Sequence, residues 1–195
     1  MEQDSSKERI LDALIAVLVG GGLENVSIRN VATEAGVSAG AVQHHFASKN
    51  ALINAAMLAV NERFQTRLRA SLEAEPSAQQ RLRIFCQRIA CVDDEDLDNA
   101  IVWTAFAAHA TAHSDVQAIH SNDWARTEDF THQLLASAFP EADVCANDAA
   151  IVLAITDGIA VARAAENGAR MNSQRATALI EQTLTMFRAR ARATE

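Results

Sequence analysis

Apolar residues recur at intervals of three and four along almost the whole chain, and little interrupts them. This spacing is typical of amphipathic helices, in which one face packs against a core. The 195 residues include only two prolines and seven glycines, and alanine, the strongest helix former, is abundant. No segment shows the alternation of polar and apolar residues that is typical of strands. We therefore predict an all-α fold of about nine helices.

The composition argues against several classes of protein. The three cysteines, Cys86, Cys91 and Cys145, are an odd set without the spacing of a disulfide framework. Residues Met1–Lys7 are polar rather than apolar as in a secretory signal, and no run of about 18 apolar residues could span a membrane. We predict a cytoplasmic protein with no membrane partner and no cofactor.

The charge gives no support for nucleic-acid binding by itself. The formal net charge is −8 at pH 7, and residues 1–50 hold six acidic side chains against four basic ones. A basic surface is what usually dominates non-specific contacts with phosphates. Any prediction of DNA binding must therefore rest on a local motif.

One segment, Ser27–Phe46, has the pattern of two short helices joined by a tight turn. Its sequence is SIRNVATEAGVSAGAVQHHF, with Ser27 and Ser38 at positions that suit N-caps. The connection Gly36–Ser38 has three residues, too few for antiparallel helices, so the helices must cross steeply as in a helix-turn-helix. Gly36 suits the left-handed conformation that ends many helices.

The second helix of this segment has one face suited to DNA. If Val42 and Phe46 point inward, Gln43 points outward and can form a bidentate pair with adenine. Small residues beside Gln43 allow close approach to a groove, and the start of the next helix can hold a phosphate. The predicted DNA contacts are Ser27, Ser38, Ala39, Gly40, Gln43, His44, His45 and Lys49.

Residues Ile10–Leu52 resemble the DNA-binding domain of the tetracycline-repressor (TetR) family of bacterial regulators. The matching features are Gly22, Ser27, Val31-Ala32, Ala35-Gly36-Val37-Ser38, Gly40, His45-Phe46, Ser48-Lys49 and Leu52. The resemblance implies that Ser27, Ala39, Gln43, His44 and Lys49 touch DNA. The family usually has a phosphate-binding tyrosine where Gln43 stands, so this departure favours base reading at that position.

The second half is similar, more loosely, to the effector-binding domains of a branch that includes the choline-responsive repressor BetI. The similar features are Val102-Trp103, Phe106-Ala107-Ala108 and Asp157-Gly158. The resemblance implies a helix-turn-helix domain at residues 1–50, followed by an effector-binding and dimerisation domain at residues 51–195. It also implies a repressor that a small molecule releases from a palindromic double-stranded DNA operator.

The same resemblance implies a homodimer that pairs through the last two helices, here Asp148–Glu166 and Ser173–Ala191. Ala154, Gly158 and Ala162 recur every four residues and would allow close helix approach. The large aromatics of this half would each fill core by default, but as a group they predict an apolar pocket. The predicted ligand contacts are Phe85, Ile89, Trp103, Phe106, His109, Trp124 and Phe130.

Two alternatives stay open at this point. His109 and His113 have the four-residue spacing of metal ligands, so the chain could be a small all-α metal-binding protein or enzyme. It could also be a helical interaction module with a degenerate DNA-binding head. Because no acidic base lies between the two histidines, we predict neither a metal site nor catalytic residues.

Two further patterns give structural expectations. The acidic run Asp93–Asp98 lacks the glycine and closing glutamate of a calcium loop, so we predict a solvated loop. Cys86 and Cys91 are five residues apart on one predicted helix, where they are poorly placed to form a disulfide. We expect both to be buried free thiols.

Overall fold

The computed structural model describes residues 2–194, with side chains described for residues 6–191. This range contains nine α-helices and two 3-10 turns. The helices are α1 (Glu2–Asn25), α2 (Ile28–Ala35), α3 (Ala39–His45), α4 (Lys49–Glu73), α5 (Ala78–Ile89), α6 (Leu97–Ala110), α7 (Ser114–Ala138), α8 (Ala146–Glu166) and α9 (Ser173–Thr194). No strand occurs in this range, which confirms the all-α prediction. None of the described helices is long and apolar enough to cross a bilayer.

Serine caps define where the short N-terminal helices begin. The Oγ atoms of Ser27, Ser38 and Ser48 each accept a hydrogen bond, at 3.1 Å, from the backbone N–H three residues later. These bonds satisfy backbone donors that have no partner inside the helix. The first helix is interrupted near its end: its backbone leaves the helical conformation at Gly22, with φ of 69°, and one further helical turn then runs to Asn25.

Two apolar clusters divide the core along the length of α4. The first joins α1, α2 and α3 to the early part of α4, and it also includes Val102 and Phe106 of α6. The second contains Leu68 and Leu72 from the later part of α4, together with residues of α5, α7, α8 and α9. Helix α4 is therefore common to both clusters. A domain boundary at residue 50 stays a prediction.

The acidic run is solvated as expected at Asp93, Asp94, Glu95 and Asp98, which are exposed, but not at Asp96. Asp94–Asp96 forms a 3-10 turn, and Asp96 is buried with only 2% of its surface exposed. Its carboxylate accepts hydrogen bonds from Arg88 at 2.7 Å and from Asn99 at 3.1 Å, and Arg67 of α4 lies 3.5 Å away. A buried charge is tolerated because cationic and amide donors surround it.

The cysteines are also placed differently from the expectation of one shared helix. Cys86 lies on α5, whereas Cys91 follows the end of that helix with a left-handed φ of 47°. Both thiols are buried and free, as predicted, and Cys145 is exposed. Burial raises the pKa of both Cys86 and Cys91 to about 12.

Candidate nucleic-acid interface and effector cavity

The helix-turn-helix geometry follows from the turn between α2 and α3. Gly36 has φ of 64° and ψ of 34°, and its backbone N–H donates to the carbonyls of Ala32 and Thr33. This left-handed residue ends α2 at the position that the sequence predicted. Val37 is half-buried in the first apolar cluster, and Ser38 caps α3 directly afterwards. The three-residue connection and its caps thus match the helix-turn-helix pattern that the sequence predicted.

Helix α3 separates buried and exposed residues as its sequence pattern indicated. Val42 and Phe46 are buried in the first apolar cluster. His45 and Ser27 are half-buried, and the Ser27 hydroxyl already accepts from the Asn30 N–H. The exposed members of the predicted DNA-contacting set are Ser38, Ala39, Gly40, Gln43, His44 and Lys49.

Lys49 has an internal partner. Its Nζ donates a hydrogen bond of 2.7 Å to the backbone carbonyl of Leu23, which joins the start of α4 to the end of α1. A phosphate contact by Lys49 would require this bond to break or to be shared. No local pattern predicts this contact, because Leu23 lies 26 residues away along the chain.

A cavity of about 350 Å³ lies among α4, α5, α6, α7 and α8. Five of the seven predicted ligand contacts line it: Phe85, Ile89, Trp103, Trp124 and Phe130. The rings of Trp103 and Trp124 are nearly parallel, with centroids 5.8 Å apart. The rings of Phe85 and Phe130 meet edge to face at 5.5 Å. This wall of aromatic rings offers a large apolar surface to a small molecule.

Phe106 and His109 do not line the cavity, contrary to the prediction of ligand contacts there. Phe106 is buried in the first apolar cluster, and His109 lies one turn further along the same helix. Periodicity placed both residues on one apolar face of α6 with Val102. That face packs against the N-terminal helices, whereas Trp103 and Asn99 point into the cavity.

Polar residues of the cavity wall include two carboxylates. Asp157 of α8 accepts a hydrogen bond of 2.8 Å from the indole nitrogen of Trp103 but forms no ion pair with any side chain among residues 6–191. Asp123 of α7 accepts from Asn61 at 3.4 Å and lies 4.0 Å from Arg126. A cavity of this kind can hold a molecule with both apolar and cationic parts.

Several other residues of the cavity wall were absent from the predicted set. They are polar side chains on four different helices, and no periodic pattern marks them. Only the assembled fold brings together Asn61, Gln65, Asn99, Asp123, Thr127 and Asp157. Met57 and Val60 of α4 also line the cavity, which places the helix that follows the recognition segment in direct reach of a ligand.

His109 and His113 form a stacked pair, with ring centroids 3.9 Å apart. The Nδ1 atom of His113 lies 3.0 Å from the backbone carbonyl of His109, so that ring nitrogen is engaged. Across the described side chains, no group of three or more potential ligands is placed to hold a metal ion.

Comparison with known proteins connects these two sites. The sequence pattern of bacterial regulatory proteins of the tetR family matches residues 10–56, and that of the BetI-type transcriptional repressor C-terminal domain matches residues 78–189. The second match alone covers more than half of the chain. The chain belongs to the TetR family. The resemblance inferred from the helix-turn-helix residues and from the second half is thereby confirmed.

Individual TetR-family relatives are similar over different lengths. The chain is 27% identical to the HTH-type transcriptional regulator PksA of Bacillus subtilis over 60% of this chain and 57% of PksA. It is 30% identical to BetI of Escherichia coli over 54% of this chain and 55% of that protein. These aligned parts span little more than half of either relative. BetI of Serratia proteamaculans is 27% identical over 94% of this chain and 92% of its own length.

Solved structures share the fold over nearly the whole chain. A transcriptional regulator from Rhodococcus sp. Rha1 has a TM-score of 0.82 and 27% identity, covering 93% of this chain and 95% of its own. A regulator from Saccharomonospora viridis, solved in complex with choline, has a TM-score of 0.84 and 18% identity, covering 93% and 96%. At 18% identity the second likeness concerns the fold alone.

Proposed function

We propose that this TetR-family protein is a cytoplasmic, homodimeric repressor that binds a palindromic operator and leaves it when a small molecule occupies the cavity. The observation that carries the proposal is the placement of α4, whose start follows the exposed recognition helix and whose middle lines the cavity. A ligand that favours one orientation of α4 would shift the balance between binding and non-binding states.

The exposed face of α3 is suited to a major groove. Ala39 and Gly40 leave room for close approach, and the amide of Gln43 can donate to and accept from adenine. We propose that His44, His45, Ser27 and Ser38 add contacts to bases or phosphates. Because the N-terminal region has a negative net charge, we propose that base contacts contribute more to affinity here than in strongly basic DNA-binding domains.

A homodimer through α8 and α9 is supported by the apolar residues that these helices leave exposed. Ile151 and Val161 of α8 are 44% and 38% exposed, and Met186 of α9 is 47% exposed. Ala154 and Gly158 lie between the first two at helical spacing, and a Cβ at Gly158 would meet nothing within 4 Å. Twofold pairing of this face would cover it and set two recognition helices about 34 Å apart.

We further propose that the effector is an organic cation with an apolar part. Asp157 lines the cavity together with five aromatic side chains and forms no ion pair with any described side chain. A ligand cation would neutralise it while contacting the rings of Trp103 and Trp124. The choline held by the Saccharomonospora viridis regulator belongs to this chemical class.

The DNA proposal can be tested with a duplex selected by the protein from a random pool. We expect Gln43→Ala and His44→Ala to weaken binding to that duplex by about tenfold each, since a good base contact contributes about 1–3 kcal/mol. The matched control is Gln117→Ala, an exposed glutamine on α7. Unchanged affinity in both α3 variants, with folding intact, would contradict the assignment.

The dimer proposal has its own matched pair. Ala154→Glu places a charge on the exposed face of α8, whereas Ala125→Glu places a charge at an exposed position of α7. We expect sedimentation to show monomers for the first variant and dimers for the second. A dimeric Ala154→Glu protein would contradict pairing through this face.

The effector proposal is tested by thermal shift, because a ligand that binds only the folded state raises its melting temperature. Choline and larger ammonium compounds with aromatic groups are the probes, and their neutral isosteres are the controls. We expect stabilisation by the cations alone and its loss in Asp157→Asn. Equal stabilisation by cations and isosteres would overturn the charge argument.

A further inference from the structure

His109 lies where the second half of the chain meets the DNA-binding helices. Helix α6 packs against both α1 and α4. Phe106 and Ala110, which flank His109 on α6, are buried in the first apolar cluster together with residues of those helices. Any change in the charge or position of His109 therefore acts at the junction between the two parts of the molecule.

The surroundings of His109 favour a neutral imidazole. Its ring stacks on that of His113 with centroids 3.9 Å apart, and its Nε2 atom is buried without a protein hydrogen-bond partner. Burial, the neighbouring His113 and the ammonium of Lys49 all lower the pKa of His109, while only the carboxylate of Asp115 acts in the opposite direction.

Helices α4 and α6, which pack together, both carry buried polar atoms without hydrogen-bond partners. Among the described side chains, the buried polar atoms without a partner are Asn54 Oδ1, Thr104 Oγ1 and His109 Nε2. Asn54 lies on α4, and the other two residues lie on α6. A buried polar group without a hydrogen-bond partner destabilises the packing arrangement in which it occurs. This helix pair is therefore a place where a small perturbation can change the packing.

We propose that His109 is a proton-sensitive positioning residue: when its imidazole gains a proton, α6 loosens from the start of α4 and affinity for DNA falls. An imidazolium has two N–H donors, and here one of them would be buried without an acceptor. Its charge would also repel Lys49, whose Nζ joins α4 to the Leu23 carbonyl at the end of α1. The DNA part of this inference rests on the proposed function, whereas its effect on folding does not.

The direction of the pH dependence follows from the lowered pKa of His109. In the unfolded chain this residue titrates near its ordinary value of 6.5, so the unfolded state takes up a proton first as the pH falls. The stabilisation is complete above pH 6.5 and is lost as the pH falls from there towards the lower pKa of the folded state. The sensitive range is therefore weakly acidic.

The first test measures the melting temperature between pH 5 and 8 at one protein concentration. His109→Gln keeps a polar side chain that cannot be charged in this range. We expect its melting temperature to fall by about 3 °C less than that of the wild type across this interval, because only the wild type has an imidazole that the unfolded chain protonates first. Identical pH profiles of the variant and the wild type would overturn the proposal.

His132→Gln is the matched control for this test. His132 is half-buried on α7, with its Nε2 3.2 Å from the Val144 carbonyl and away from α4. We expect its pH profile to follow that of the wild type. NMR titration of the histidine rings gives an independent measurement, and a pKa of 6.5 or above for His109 would contradict the inference.

The second test measures affinity for the selected duplex at pH 8 and pH 5.5. Every residue other than His109 is the same in the two proteins, so effects of pH on the rest of the DNA-binding surface cancel in the comparison. We expect acidification to weaken wild-type binding by about tenfold relative to His109→Gln. An equal change in both proteins would overturn the proposed effect on DNA. If no duplex binds at either pH, the proposed function fails, and the melting profiles still decide the role of His109.

Discussion

The two ends of the molecule are stabilised by different kinds of interaction. Every fully buried side chain described between residues 6 and 90 is apolar, and serine caps fix the short helices there. Beyond residue 90 the core also contains buried polar or charged side chains: Asp96, Thr131, Asp148, Thr156, Arg163 and Thr183. Most of the residues that line the cavity also lie beyond residue 90, and α4 and α5 supply the rest.

Because of this difference, we expect the helices of the two regions to differ in how easily they change position. A close-packed apolar core resists any change in the relative position of its helices, which suits a surface that must match a groove. Hydrogen bonds around a cavity can instead be exchanged between partners at small net cost. The N-terminal half is therefore built to keep one geometry, and the C-terminal half can accommodate more than one.

The largest expected effect compares the same truncation in the two halves. Phe46→Ala removes a side chain that is 5% exposed in the N-terminal cluster, and we expect a loss of about 3–5 kcal/mol in the free energy of unfolding. Phe130→Ala removes a cavity-lining ring that is 37% exposed, with an expected loss of about 1 kcal/mol. Urea denaturation of both variants measures the difference, and equal losses would break the comparison.

A smaller effect is expected for the buried arginine of the C-terminal half. Arg163 donates to the carbonyls of Cys91 and Met171 at 2.6 and 2.9 Å and to Asp94 at 2.8 Å. Arg163→Leu leaves two carbonyls unsatisfied, and we expect a loss of about 2–3 kcal/mol by urea denaturation. The control is the surface Arg170→Leu, whose pair with Glu166 contributes at most about 0.5 kcal/mol.

The caps of the recognition segment allow a finer test of the N-terminal half. Ser38→Ala removes the hydroxyl that accepts from the Ala41 N–H, so we expect a loss of about 1 kcal/mol. Ser137→Ala is the matched control, because its hydroxyl bonds to the Gln133 carbonyl within α7 and caps no helix. A Ser38→Ala protein as stable as this control would show that local capping matters less here than packing does.

The smallest effect concerns pH and the pair of Asp148 with Arg190. Arg190 lies 2.8 Å from the Asp148 carboxylate and holds its pKa below the ordinary value of 3.8. The stabilisation is present above that value and is lost as the pH falls through the lowered pKa of the folded state. We expect Asp148→Asn to be less stable than the wild type at pH 7 but equally stable in strong acid. Exposed Asp143→Asn is the control, and a difference that persists in acid would contradict this account.

Predictions from the sequence succeed where local chemistry decides the structure. Ser27, Gly36 and Ser38 act within one helical turn, so their roles could be read from spacing alone. Phe106 and His109 were misassigned because periodicity identifies an apolar face and does not say which neighbour covers it. The buried position of Asp96 depends on Arg88 and Arg67, which no local pattern connects to it.

Because α4 is long, a small tilt at its cavity end would produce a larger displacement at the end next to the recognition helix. Its 25 residues form a rod about 37 Å long, with Leu68 against the cavity and Lys49 at the opposite end. A tilt of about 5° pivoting near Leu68 would displace Lys49 by roughly 2.5 Å, since the separation along the axis is about 28 Å. Such a displacement is comparable to a hydrogen-bond length, so a ligand need not move any helix far to take a recognition surface out of register with DNA.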